Sequence, residues 1–144
     1  MKQPPKVIVI GLSGATATLM EKYLQAGRLP NLDALVKRGA YTRVRAPFPG
    51  TTPVGWATVS TGAYPGTHGI TGSVVLDAHD ALDGGQDGFS LVSYQAETLW
   101  QAANRAGFKA ATLNFPGADA SGHANHVWIA GRGLPAEHLE YAIR

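Results

Sequence analysis

Cysteine is missing from this chain of 144 residues, which excludes disulfides and thiolate metal sites and leaves the redox compartment open. Long apolar runs are missing too: nothing approaches the roughly 20 residues of a membrane-spanning helix. Charge is sparse, with 15% charged residues and a formal net charge of +2. The basic residues are scattered, only Lys37 and Arg38 being adjacent and Arg43 and Arg45 alternating. No stripe of the kind that tracks a nucleic-acid backbone results. A secretory leader is not expected either. Lys2 and Lys6 precede VIVIGL, and Ala15-Thr16-Ala17 has the look of a cleavage site, but an apolar core of about six residues falls short of the usual 7–15. The expectation is a cytoplasmic protein.

What remains is ordinary globular composition. With 44% hydrophobic residues the chain can bury a core, and one domain over residues 1–144 is expected. Val7 to Ile10 is a continuous β-branched run, the pattern of a strand covered on both faces in a parallel sheet. It ends in Gly11-Leu12-Ser13-Gly14, a turn into a helix carrying Leu19, Met20, Tyr23 and Leu24, with Gly27 as its stop. Ligands of open α/β sheets bind outside the carboxyl ends of the strands, so Ser13 occupies a position where chemistry would occur. Asn31 can cap a second helix bearing Leu32, Leu35 and Val36, which Gly39 ends. Tyr41 to Arg45 alternates and reads as an edge strand.

Further along, DAHDALDGGQDG at 77–88 carries four aspartates and His79, but its spacing is not that of an EF-hand, and a solvated loop is expected. Ser93 to Gly107 predicts a helix, Phe108 to Leu113 a strand, and Val127 to Ala130 another strand after a loop holding His123 and His126. That H-x-x-H pair lacks a third ligand and is not read as a metal site. Strand, helix and strand recur, so the fold class expected is α/β with a mostly parallel sheet flanked by helices.

The chemistry concentrates between Pro47 and Ile70, PFPGTTPVGWATVSTGAYPGTHGI. Thr51, Thr52 and Pro53 stand before a predicted helix, Val54 to Thr61, with Pro53 suited to its first position. A threonine is thereby set at or beside a helix N-terminus, where unpaired N–H groups and the macrodipole favour an anion. The simpler reading makes Thr52 an N-cap, worth about 1 kcal/mol. Trp56 and Val59 read as core contacts.

The order TTPVGWATVSTGAYPGTHGI resembles the nucleophile segment of the alkaline phosphatase superfamily, in its type I phosphodiesterase/nucleotide pyrophosphatase branch. KVIVIGL at 6–12, AGRLPNLDALVKRGAY at 26–41 and ETLWQAANRAGFKAATLNFPGA at 97–118 agree in order. The resemblance implies an incomplete alkaline-phosphatase-like α/β domain, residues 1–144 being its N-terminal part. It implies a metal-dependent phosphodiesterase with Thr52 as nucleophile, a phospho-threonine intermediate and two divalent ions, usually zinc. Thr52 would then also be a metal ligand. The substrate implied is a phosphate ester or nucleotide-like small molecule.

This chain departs from that pattern in three places. The first metal-binding Asp falls on Ser13, a neutral hydroxyl. The Asn that often assists the phosphoryl oxygen, twenty-one residues after the nucleophile, falls on Ser73. The other Asp and His ligands lie further downstream than residue 144. An unassisted threonine is a weak nucleophile, so the isolated chain is expected to be inactive, needing a C-terminal portion or a partner chain, or serving as a non-catalytic phosphate- or nucleotide-binding module. PAEHLEYAIR, at the C-terminal end, reads as the opening turns of a helix. Finally, Gly11-Leu12-Ser13-Gly14-Ala15 resembles a hydrolase elbow with Ser13 as nucleophile, although no His is clearly placed to serve it.

Overall fold

The computed structural model describes residues 6–76, 84–90, 93–118 and 125–129. Two compact units divide the chain, Met1–Arg45 and Ala46–Arg144.

The first unit holds two helices, α1 (Ala17–Gln25) and α2 (Pro30–Arg38). Thr16 caps α1 by accepting from the Leu19 N–H at 3.4 Å. At the other end Gly27, at φ +66°, lets the Arg28 and Gly27 N–H groups reach the Tyr23 and Leu24 carbonyls, a Schellman closure. The half-buried stripe of α1 is Ala17, Met20 and Leu24, while Leu19 and Tyr23 turn outward. In α2 the proline rather than Asn31 sets the start: Pro30 is the first helical residue and Leu29 the N-cap, which puts Asn31 inside the helix.

Neither expected strand of this unit forms. Val7, Ile8 and Ile10 are about four-fifths exposed and pair with no ladder among the described residues. A run apolar on both faces gains its stability from neighbours on both edges, and the described part of this unit supplies none. The alternation of Tyr41 and Arg43 is real but serves another purpose. Both side chains reach one carboxylate of α1: the Tyr41 hydroxyl donates to Glu21 Oε1 at 3.0 Å, and the Arg43 guanidinium grips both Glu21 oxygens.

The second unit begins with α3 (Thr52–Thr61) and the single turn α4 (Pro65–His68), followed by β1 (Val74–Val75) and β2 (Gln86–Asp87), which pair antiparallel. Then come α5 (Leu99–Arg105), β3 (Ala110–Leu113) and β4 (His126–Ile129). β3 and β4 run parallel, with Ala110 opposite His126 and Leu113 opposite Ile129. The parallel pair and flanking helices agree with an α/β fold, in short sheets of two strands.

α5 is shorter than its sequence pattern. Thr98 and Gln101 form a capping box, the Thr98 N–H donating to Gln101 Oε1 at 2.8 Å, so residues 93–98 stay outside the helix. The 77–88 segment is not wholly a loop, because Gln86 and Asp87 join β1; Asp77 to Asp83, with His79, lie outside the described residues. So do His123 and the 134–144 stretch, while His126 stands in β4 rather than in a loop.

Two apolar clusters share one residue. Val54, Ala57 and Ile70 are fully buried together, with Val75 and Tyr94 against them. Trp100 and Ala118 form the other, with Tyr94, Ala110, Phe115 and Trp128. Phe115 presents ring edges to both Trp56 of α3, at 5.1 Å, and Trp100 of α5, at 5.4 Å. Trp56 is therefore a packing residue as expected, whereas Val59 is half exposed.

Candidate functional site

The start of α3 is built by its sequence. Thr51 is the N-cap in extended conformation, Thr52 the first helical residue and Pro53 the second. Thr52 is therefore not the cap, and Pro53 stands one place later than its N1 preference suggests. The Thr51 side chain makes no capping hydrogen bond, and the first helical bond runs from the Gly55 N–H to the Thr51 carbonyl at 3.0 Å. Since Pro53 has no N–H, the helix start leaves the N–H groups of Thr52 and Val54 without an intrahelical acceptor. The Thr52 side chain is exposed and the apolar face of the helix, Pro53, Val54, Ala57 and Ser60, is buried. An exposed alcohol at the positive end of an anchored helix is suited to meeting an anion.

Ser73 lies in the same unit and its chain segment comes close to that helix start. The Ser73 carbonyl accepts from the Gly88 N–H at 2.9 Å. A β-carbon at Gly88 would collide with the Gly72 carbonyl and come within 3.4 Å of Pro53 Cβ. Residues 72, 73 and 88 thus pack beside the first turn of α3, and only glycine permits the approach. The Ser73 side chain is exposed.

Ser13 belongs to the first unit. It occupies an exposed turn closed by the Ala15 N–H on the Leu12 carbonyl at 3.3 Å, with Gly14 at φ +77°. A hydrolase elbow needs a strand leading into the serine, and among the described residues no strand precedes Ser13.

Behind the helix start lies a buried network that sequence patterning did not single out. His68 is fully buried. Its Nδ1 accepts from the Ile70 N–H at 3.1 Å, which requires that nitrogen to be unprotonated. Its Nε2 is 3.0 Å from Thr58 Oγ1, and that hydroxyl spends its own proton on the Val54 carbonyl at 2.9 Å. The arrangement selects the neutral Nε2–H tautomer, donating to Thr58. Burial holds the imidazole pKa below its usual value, against a smaller opposing pull from a backbone hydrogen bond. The sequence signal was a histidine inside a tight P-G-T-H-G-I turn, where a charged ring has little room for water.

Tyr94, stacked on His68 at 6.5 Å, has its phenol pushed up to about 12 by burial, with the Ser60 hydroxyl pulling the other way. Among the described residues no group of three or more His, Asp or Glu is placed to hold a metal ion. The hydroxyls of Thr52 and Ser13 do not by themselves fit a divalent pair, because zinc sites are built from imidazole, thiolate and carboxylate ligands.

Residues 7–141 match the family described as type I phosphodiesterase / nucleotide pyrophosphatase. The chain belongs to that family. Within it, the chain is 30% identical over 122 residues to venom phosphodiesterase 2 of Crotalus adamanteus, covering 78% of this chain and 14% of the venom protein. It is also 30% identical over 122 residues to human ectonucleotide pyrophosphatase/phosphodiesterase family member 1, covering 81% of this chain and 13% of the human protein. The mouse ectonucleotide pyrophosphatase/phosphodiesterase family member 3 shares 30% over 124 residues. This phosphodiesterase-family chain spans about one seventh of the length of the curated relatives it matches. No solved structure gives a significant match. No helix among the described residues is long and apolar enough to cross a membrane.

Proposed function

We propose that this chain supplies the threonine nucleophile and helix-start anion site of a metal-dependent phosphodiesterase. The observation that carries the reading is the exposed Thr52 at the first position of α3, in a chain whose residues 7–141 match the phosphodiesterase family. Phosphoryl oxygens of a phosphate ester or nucleotide-like substrate would meet the N–H of the exposed Thr52 at the positive end of that helix, leaving Thr52 Oγ1 to face phosphorus. Ser73, on the segment beside Pro53, is the candidate for a single hydrogen bond to the substrate.

The family resemblance calls for two divalent ions, zinc being the natural choice. Thr52 and Ser13 are the positions assigned toward them, and two neutral hydroxyls do not suffice. As an isolated chain the protein is therefore proposed to be inactive, with the remaining ligands coming from a C-terminal portion or a partner chain.

The test is hydrolysis of bis-p-nitrophenyl phosphate with and without added zinc, by this chain and by a full-length form, each as Thr52→Ala and as Ser13→Asp. The expected result is no turnover by this chain and zinc-dependent turnover by the full-length form that Thr52→Ala abolishes. Turnover that survives Thr52→Ala overturns the nucleophile assignment.

A second reading has specific support in the neutral Ser13: a phosphate- or nucleotide-binding module without catalysis. Backbone N–H groups would then carry recognition, so Thr52→Ala would leave anion affinity nearly unchanged. Calorimetry showing no anion binding by the wild-type chain removes that reading.

A further inference from the structure

His68 has no exposed surface and therefore cannot touch a substrate, yet both of its ring nitrogens are committed. The chain of bonds runs in one direction: Ile70 N–H to His68 Nδ1, His68 Nε2–H to Thr58 Oγ1, and Thr58 O–H to the Val54 carbonyl. Val54 lies two residues beyond Thr52, in the first turn of α3. The network thus ties the turn after α4 to the end of the helix that carries the exposed threonine. A second tether holds the same histidine from behind, the Gln95 N–H donating to the His68 carbonyl at 3.0 Å.

We propose that His68 is a positioning residue for the Thr52 site, a proton-sensitive latch that holds the first turn of α3 through Thr58. This rests on the reading of Thr52 as the anion and nucleophile position. The physical argument is one of donor count. A neutral imidazole offers one acceptor and one donor, and the network uses both. A protonated ring offers two donors, so its Nδ1–H would face the Ile70 N–H across 3.1 Å and one of the two must withdraw. Among the described residues no charged group acts on the ring. The groups packed against it are Thr58 of α3, the Ile70 N–H of its own turn, and the ring of Tyr94, whose phenol stays neutral through the ordinary pH range. Protonation would therefore loosen the α4 turn, release Thr58 and leave the Thr52 turn less defined.

The experiment uses sulfate as the probe, because its charge is constant across pH 5 to 8 and only the protein titrates. Long-range proton–nitrogen NMR reports the His68 tautomer, and amide shifts of Thr52 and Val54 report sulfate binding, for the wild type, Thr58→Val and Thr58→Ser. Thr58→Val keeps the side-chain shape and removes the hydroxyl; Thr58→Ser restores it. The latch is supported if His68 is the Nε2–H tautomer, if sulfate affinity falls as His68 protonates, and if Thr58→Val weakens binding about fivefold while Thr58→Ser recovers it. Wild-type binding indifferent to His68 protonation and to Thr58→Val overturns the latch and leaves the anion site standing. Absence of sulfate binding in the wild type counts against the site itself, and the latch is then decided by amide exchange in residues 52 to 58. Faster exchange on His68 protonation supports it, and a flat profile overturns it.

Discussion

The Tyr94 hydroxyl lies directly over Gly117: a β-carbon at that glycine would overlap the phenol oxygen, and the glycine itself sits at φ +78°. Gly117→Ala meets both the left-handed backbone and the clash, so it is expected to destabilise the second unit by about 2–4 kcal/mol. Urea unfolding measures this. Because Tyr94 packs in both apolar clusters, the whole transition should move to lower urea rather than one local probe alone. Tyr94→Phe combined with Gly117→Ala should recover part of the loss, since it removes the closer of two clashes and leaves the one with Tyr94 Cζ at 2.8 Å.

His68 makes stability depend on mild acid. Its folded pKa lies below the ordinary 6.5, so between the two values the unfolded chain binds more protons than the folded one. The stability gained from the neutral ring is complete above about pH 6.5 and declines as pH falls toward the folded pKa. Thermal midpoints taken from pH 8 to pH 5 should decrease in that window. A midpoint that stays level across it contradicts the network.

Tyr94 makes the opposite demand at the alkaline end. A phenol at about 12 in the fold, against an ordinary value of 10.0, resists ionisation while the unfolded chain loses its proton readily. Stability from the neutral phenol is complete below pH 10 and lost as pH rises toward 12, amounting to roughly 2–3 kcal/mol at 1.36 kcal/mol per unit. The tyrosinate absorbance should show one group titrating late and together with unfolding. Tyr94→Phe should remove that late step.

Thr98 is fully buried, and its side chain accepts from the Gln101 N–H at 3.4 Å as one half of the capping box and also donates to Gln101 Oε1 at 3.0 Å. Thr98→Ala is expected to cost about 1–2 kcal/mol, and Thr98→Ser less than half of that. Denaturant midpoints for the pair distinguish loss of the cap from loss of the methyl group, since serine keeps the hydroxyl.

Much of the helix punctuation was legible from local chemistry. Gly27 and Gly39 end α1 and α2 where a glycine stop was expected, and Gly62 takes the left-handed C-cap of α3. The start of α3 was read to within two residues because a Thr-Thr-Pro sequence has few other uses. The strands were less legible. Val7 to Ile10 carries the propensity of a buried strand, but a strand exists only with a partner, and the described residues of its unit offer none. The division into two compact units, with Ser13 in the first and Thr52 in the second, is likewise not a property of any local pattern. His68 was visible only as part of a turn pattern, because a hydrogen bond to a threonine ten positions away is not a property of either residue alone.

Local chemistry by itself thus determined where helices end, that an alcohol stands at the start of α3 and which family the chain resembles, since caps, prolines and glycines act over three or four residues. The three-dimensional structure alone decided that His68 is neutral and doubly bonded, that Tyr94 joins two apolar clusters and that Gly88 admits the segment carrying Ser73. Those facts depend on which distant groups meet and on how much water is excluded when they do, and a one-dimensional pattern carries neither quantity.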